Sequence, residues 1–234
     1  LHDLKAGRME NGPAAIRAAV EAGYGVELDL QLSADGVPVV FHDDELSRLT
    51  DGEGPVATRT AAELAEIPLR VSGERIPTLG DALEMVGGRV PLLLEIKDQD
   101  GLMGPRVGAL ETAVAQALRG YEGPVAVMSF NPHSVIALRD LAPDVPRGLT
   151  TAAFEPHGWE PLPPALCERL RGIPDFDEAG AAFISHEARD LRRPRVAELK
   201  AAGAAVLAWT IRSPEEEAGA RRVADNVTFE GYRA

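Results

Sequence analysis

An α/β fold with a parallel sheet is predicted by three features of the sequence. Short apolar runs rich in Val, Leu and Ile alternate along the chain with Ala-rich amphipathic runs. Strands that alternate with helices in this way pair parallel. No linker-like or low-complexity segment interrupts the 234 residues. One domain over residues 1–234 is therefore expected, and the number of repeated units favours a (β/α) barrel over an open sheet. The composition is that of a globular chain, with 45% hydrophobic and only 5% aromatic residues. Its core must be built mostly from aliphatic side chains.

The elements follow in order. The run "NGPAAIRAAVEA", 11–22, reads as a helix with Pro13 in its first turn. Strands are expected over 25–32 and 37–42. Helices are expected over 60–65 and 79–86, the second with Thr78 as N-cap. "VPLLLEI", 90–96, is a buried strand. Then come a helix at 105–118, a strand at 124–130, a helix at 132–141 and a strand at 147–151. A helix at 164–171, a strand at 181–185, a helix at 194–202 and a strand at 204–211 follow. A helix at 214–223 and a strand at 226–229 complete the pattern.

One connection breaks the alternation. Only "SADG" separates Leu32 from Val37, and a parallel crossover needs roughly a dozen residues. Asp35-Gly36 signals a two-residue hairpin, so strand 37–42 should return antiparallel on strand 25–32. With that loop the paired residue numbers sum to 71, which sets Asp29 opposite His42. Glu27 shares the face of Asp29, because strand side chains alternate. Setting the return strand aside, seven parallel strands are counted where a closed barrel has eight.

Chemistry concentrates at strand ends. Glu27 and Asp29 lie in an otherwise apolar run, where an uncompensated carboxylate is costly to bury. Glu95 ends "PLLLE", with Lys97 two residues on. Three such carboxylates suit a hard divalent cation. His42, set opposite Asp29, suits proton transfer near neutral pH. The bland reading is a surface ladder with a Glu95–Lys97 pair, and three acids with a histidine at strand ends weigh against it. His133 reads as a helix-start residue, His157 as a loop residue, and His186 as a strand-end residue with a smaller claim on the pocket. Trp209, at the end of "AAVLAWT", can pack in a core or wall a pocket.

Several classes are excluded or disfavoured. The net charge is −13, from 37 acidic and 24 basic residues, which repels nucleic acid and anionic membrane. No apolar run is long enough to insert stably in a bilayer. No Walker or Rossmann glycine loop is present. Cys167 is the sole cysteine, which fits cytoplasm or periplasm; cytoplasm is the expectation.

The stretch "GVELDLQLSADGVPVVFHDDELSRLTDGEGPV" resembles the glycerophosphodiester phosphodiesterase family. "IPTLGDAL", "LLLEIK", "VMSF" and "AWTI" follow in the family's order, so the resemblance runs from Glu10 to about Arg212. It implies a TIM barrel that hydrolyses a small-molecule glycerophosphodiester to sn-glycerol 3-phosphate and an alcohol. It implies Glu27, Asp29 and Glu95 as ligands of Ca²⁺ or Mg²⁺, His42 as one of two catalytic histidines, and Lys97 and Trp209 near the phosphate and glycerol. Glu10 matches the glutamate of the family's Glu-Asn-Thr, here Glu-Asn-Gly. Glu230 stands near the place of a C-terminal aspartate. The family's opening His-Arg-Gly strand has no match, and that strand is expected upstream of Leu1. A related phospholipase-type barrel, or an inactive fragment lacking that strand, are the alternatives.

Overall fold

Strands and helices alternate along most of the computed structural model, which describes all residues, Leu1–Ala234. The chain forms two units, Leu1–Gln99 with Val107–Val127, and Asp100–Arg106 with Met128–Ala234. The first holds helix α1 (Pro13–Glu21), strand β1 (Val26–Leu32), strand β2 (Pro38–Val40), helices α2 (Ala61–Ala65) and α3 (Leu79–Val86), strand β3 (Leu92–Ile96) and helix α4 (Ala109–Ala117). Strand β4 (Val125–Ser129) begins in it and ends in the second unit. The second continues with α5 (Pro132–Leu141), β5 (Arg147–Thr151), α6 (Pro164–Arg171), β6 (Phe183–Glu187), α7 (Pro194–Ala201), β7 (Ala205–Ile211), α8 (Pro214–Ala220) and β8 (Asn226–Phe229). No helix is long and apolar enough to cross a membrane.

Sheet order in the first unit is β2-β1-β3-β4, and in the second β5-β6-β7-β8. β1 pairs parallel with β3, and β5, β6, β7 and β8 pair parallel in succession. β2 is the exception and pairs antiparallel with β1, as the short connection requires. The α/β class follows from the sequence as expected.

The hairpin register differs by one from expectation. Leu30 faces Val40, Gln31 faces Val39 and Leu32 faces Pro38, so partner numbers sum to 70 and not 71. The loop has three residues rather than two. The Ser33 N–H donates to the Val37 carbonyl at 3.0 Å. Gly36 has φ +80°, the left-handed residue that closes a three-residue hairpin. The Ser33 hydroxyl bonds Asp35 Oδ1 and accepts from the Val37 N–H, which fixes the wider loop. Asp29 is therefore opposite Phe41, whose N–H donates to the Asp29 carbonyl at 2.9 Å.

Capping explains several helix starts. Thr78 caps α3 by accepting from the Asp81 N–H, and the Asp81 carboxylate accepts in return from the Thr78 N–H. Asn131 caps α5 through the His133 N–H, so His133 is the helix-start residue its position suggested. α4 begins at Ala109, four residues beyond the expected start. Gly108, at φ +128°, stands immediately before it.

Residues 39–76, together with Met9, carry a core of their own. Met9, Val39, Phe41, Leu46, Leu49, Val56, Leu64, Leu69 and Ile76 pack together, all buried. Phe41 and Leu46 are fully buried, each contributing about 1.5–3 kcal/mol. This core anchors the chain on both sides of His42.

Candidate active site

β1 and β3 bring the acids together. Side chains two apart on β1 share a face, so Glu27 and Asp29 point the same way. The parallel register sets Asp29 beside Glu95 on β3. Carboxylate oxygens of Glu27, Asp29 and Glu95 lie within 4.8 Å of one another. Asp29 and Glu95 are each 6% exposed, and Glu27 is partly buried. The three residues predicted as a cluster form one.

Lys97 sits just past the end of β3. Its Nζ donates to Asp29 Oδ1 at 2.7 Å and Glu95 Oε1 at 2.6 Å. Burial penalises the ammonium, but the two carboxylates outweigh that and hold its pKa above the ordinary lysine value. Burial also pushes Asp29 up. Lys97, His42 and the Asn11 amide more than offset it, and Asp29 stays ionised below the usual carboxylate range.

For Glu27 the relief from Lys97 is too small. Burial raises its pKa well above normal, and the charges of Asp29 and Glu95 raise it further. Glu95 is raised too, by burial first. One ammonium faces three carboxylates, so the cluster carries surplus negative charge in a low-dielectric place. Only a proton or a cation relieves that, and three convergent oxygens are the donor set of a hard divalent ion. The residues fit such an ion.

His42 reaches the cluster by a different route from the one predicted. β2 ends at Val40, and the chain leaves strand geometry before His42. Strand pairing therefore does not set the ring. His42 is among the groups whose electrostatic influence on Asp29 and Glu95 opposes the effect of their burial. His42 Nδ1 lies 2.7 Å from Asp43 Oδ1. Gln31 Nε2 donates to the His42 carbonyl at 3.3 Å and to Asp44 Oδ1 at 3.0 Å. Gln99 Nε2 in turn donates to Gln31 Oε1 at 2.9 Å.

Asn11 is a participant that sequence reasoning passed over. Its Nδ2 donates to Asp29 Oδ2 at 2.9 Å, and its Oδ1 accepts from the Asp29 N–H at 3.2 Å. Asn11 has φ +57°, a conformation that asparagine tolerates better than most residues. The available signal was its place in "ENG", immediately before a helix start.

The other candidates lie in the second unit. Trp209 is on β7, and its Nε1–H donates to the Ser185 carbonyl at 2.9 Å. It packs edge-on to Phe130, with ring centroids 5.5 Å apart, beside Phe154 and Trp159. His186 is inside β6 rather than beyond its end and is fully buried, with Nδ1 2.8 Å from the Thr151 hydroxyl. Glu230 accepts from Arg212 Nε at 2.5 Å. His157 lies exposed in its loop, 3.3 Å from Glu160.

Comparison with known proteins gives these positions a family. A glycerophosphodiester phosphodiesterase of Caldanaerobacter subterraneus subsp. tengcongensis is 35% identical over 149 residues, 60% of this chain and 60% of that relative's own length. The chain thus spans under two thirds of that relative. A solved phosphodiesterase of Oleispira antarctica, in complex with the product sn-glycerol-3-phosphate, superposes with a TM-score of 0.76 at 30% identity, covering 94% of this chain and 87% of that one. A glycerophosphodiester phosphodiesterase structure from Parabacteroides distasonis shares the fold at TM-score 0.75 and 22% identity, covering 95% and 87%. The sequence pattern of the glycerophosphoryl diester phosphodiesterase family matches residues 4–225, nearly the whole chain including both units, and the chain belongs to that family.

Proposed function

We propose that this protein hydrolyses glycerophosphodiesters to sn-glycerol 3-phosphate and an alcohol. The observation that carries the reading is the surplus of negative charge where Glu27, Asp29 and Glu95 converge beside His42. Membership of the family supports it, as does the product bound to the Oleispira antarctica relative.

Glu27, Asp29 and Glu95 would hold a Ca²⁺ or Mg²⁺ ion, which polarises phosphoryl oxygens and offsets the charge that develops on them. Lys97 is the ammonium of the same cluster. Its charge favours binding of a phosphate anion, and its two hydrogen bonds fix its position. Asn11 holds the Asp29 carboxylate from the side away from Lys97's oxygen. His42 moves the proton. With Nδ1 engaged by Asp43, the ring presents Nε2 for exchange with the substrate. In hydrolysis an oxygen nucleophile, water or glycerol's own 2-hydroxyl followed by water, gives up its proton and bonds to phosphorus, the bond from phosphorus to the head-group alcohol breaks, and the departing alkoxide takes a proton. Trp209 as a glycerol-binding residue rests on its position in "AWTI" alone.

The test is turnover of glycerophosphocholine. Release of glycerol 3-phosphate should be abolished by a chelator and restored by Ca²⁺ or Mg²⁺. Release that a chelator leaves unchanged, or no release at all, sinks the reading.

A further inference from the structure

A chain of charged groups runs from His42 through Asp43 and Arg48 to Glu10. Asp43 Oδ1 contacts the ring at Nδ1. Arg48 then grips Asp43 with two donors, Nε to Oδ2 at 2.6 Å and Nη2 to Oδ1 at 2.7 Å. The same guanidinium grips Glu10, Nη2 to Oε1 at 2.7 Å and Nη1 to Oε2 at 3.2 Å. One planar fork thus makes four contacts to two carboxylates, a pattern that lysine cannot reproduce.

Two features separate this from an ordinary surface ion pair, which contributes little. The first is its anchoring. Arg48 closes the short helical turn Leu46–Arg48, whose Leu46 is fully buried in the core that also contains Phe41. Both ends of the Arg48–Asp43–His42 chain are therefore tied to one packed cluster. The second is its reach. Glu10 lies 38 residues from Arg48 in sequence and one position before Asn11, which holds Asp29. The segment that orients a carboxylate of the cluster thus also braces the histidine.

We propose that Arg48 and Glu10 are positioning residues, which fix Asp43 and through it the orientation and tautomer of the His42 ring. This rests on the reading of His42 as the proton-transfer group. A carboxylate held at Nδ1 favours the proton there and leaves Nε2 as the reacting nitrogen. Without Arg48, Asp43 is released to solvent, and the ring samples both tautomers and more than one rotamer.

The experiment combines kinetics with ring-nitrogen NMR of the ¹⁵N-histidine-labelled protein. Arg48→Gln should lower kcat for glycerophosphocholine roughly tenfold or more, the scale of outer-sphere orienting groups, with KM within about twofold of wild type. The His42 ring should pass from one dominant tautomer to a mixture. Arg48→Lys, which keeps the charge and loses the fork, should not rescue either effect. Glu10→Gln removes only the outer arm and should give the same changes in smaller measure, which serves if Arg48→Gln does not fold. An unchanged ring spectrum in these variants overturns the proposal, as does a rise in KM at constant kcat, which would make Arg48 a substrate ligand. His42→Ala, assayed alongside, separates the two levels. If that variant is inactive while Arg48→Gln behaves as wild type, the positioning role alone fails. If it stays active, the reading of His42 itself fails.

Discussion

Two buried charge clusters, one in each unit, contrast in their balance. In the first unit, Glu27, Asp29 and Glu95 share the single ammonium of Lys97. In the second, Asp175 is 5% exposed and is met by one guanidinium, with Arg169 Nη1 and Nη2 donating to its two oxygens at 2.7 and 2.6 Å. The second pair is complete: charge cancels and the fork satisfies both oxygens. The first is incomplete, and Glu27 registers this as a pKa driven upward by burial and by its two acidic neighbours. A folded chain tolerates such an excess at a cost in stability, and a cation bound there would recover that cost. The complete pair needs no further partner, whereas the incomplete cluster is the one that the proposed cation would complete.

The sharpest way to break that contrast is to neutralise one acid of the first cluster. Glu95→Gln, which removes a proposed ligand, should lower turnover by at least about a hundredfold, the top of the range for the outer-shell partners of such ligands. Its unfolding midpoint without cation should hold or rise, because a repulsion has gone. Wild type should gain stability on adding Ca²⁺ or Mg²⁺, up to about 2.7 kcal/mol at a hundredfold excess over Kd, and the variant should gain little. Calorimetry and activity together decide. A large loss of stability with turnover retained would make this cluster structural as well.

Lys97→Met is the next largest effect. It leaves Asp29 and Glu95 without their ammonium, and both are buried. Unfolding in chelator should become easier by about 3 kcal/mol, the scale for breaking a buried pair. Added divalent cation should recover part of this, since the ion does some of what Lys97 did. A loss that cation does not reduce would contradict placing the ion at these three carboxylates.

In the second unit the expectation reverses. Arg169→Ala strips the complete pair and strands a buried carboxylate. Arg169 is half exposed, so solvent screening reduces the cost to about 1–2 kcal/mol. Cation should not restore that loss, and turnover should be unchanged at temperatures where the protein stays folded. Urea unfolding with and without Ca²⁺ checks it. Cation rescue of Arg169→Ala equal to that of Lys97→Met would erase the distinction between the clusters.

The first cluster was legible in the sequence because its signal is local. Glu27 and Asp29 are two apart in a strand, and Glu95 interrupts an apolar run, so periodicity alone puts them on buried faces. His42 was legible as a participant but not in its geometry. A three-residue loop closed by Gly36 shifts the register by one, and the dipeptide Asp35-Gly36 suits both loop lengths. Asn11, Arg48 and Glu10 were not legible in their roles. Their hydrogen bonds join residues 18 and 38 apart, and no local pattern encodes which distant partner a polar side chain will meet. The same holds for His186. "ISHE" carries polar residues that look like a strand's exit, yet they lie inside β6 because Thr151 of β5 and Asp190 accommodate the imidazole.

That buried imidazole supplies the smallest expected effect and the finest test of a balanced second unit. Burial lowers the pKa of His186 below its ordinary 6.5, against the opposing pull of Asp190. The folded protein thus holds the ring neutral at a pH where the unfolded chain has already taken up a proton. The contribution is present in full above about pH 6.5 and is lost as pH falls through that value toward the depressed one. The slope is at most about 1.4 kcal/mol per pH unit. His186→Asn, which does not titrate, should flatten this part of the stability–pH curve and leave turnover near its starting value. If instead stability rises as the pH drops below 6.5, and the slope vanishes in the variant, then Asp190 prevails over burial. His186 would then be a cation in the folded state, completing its pair as Arg169 completes its own.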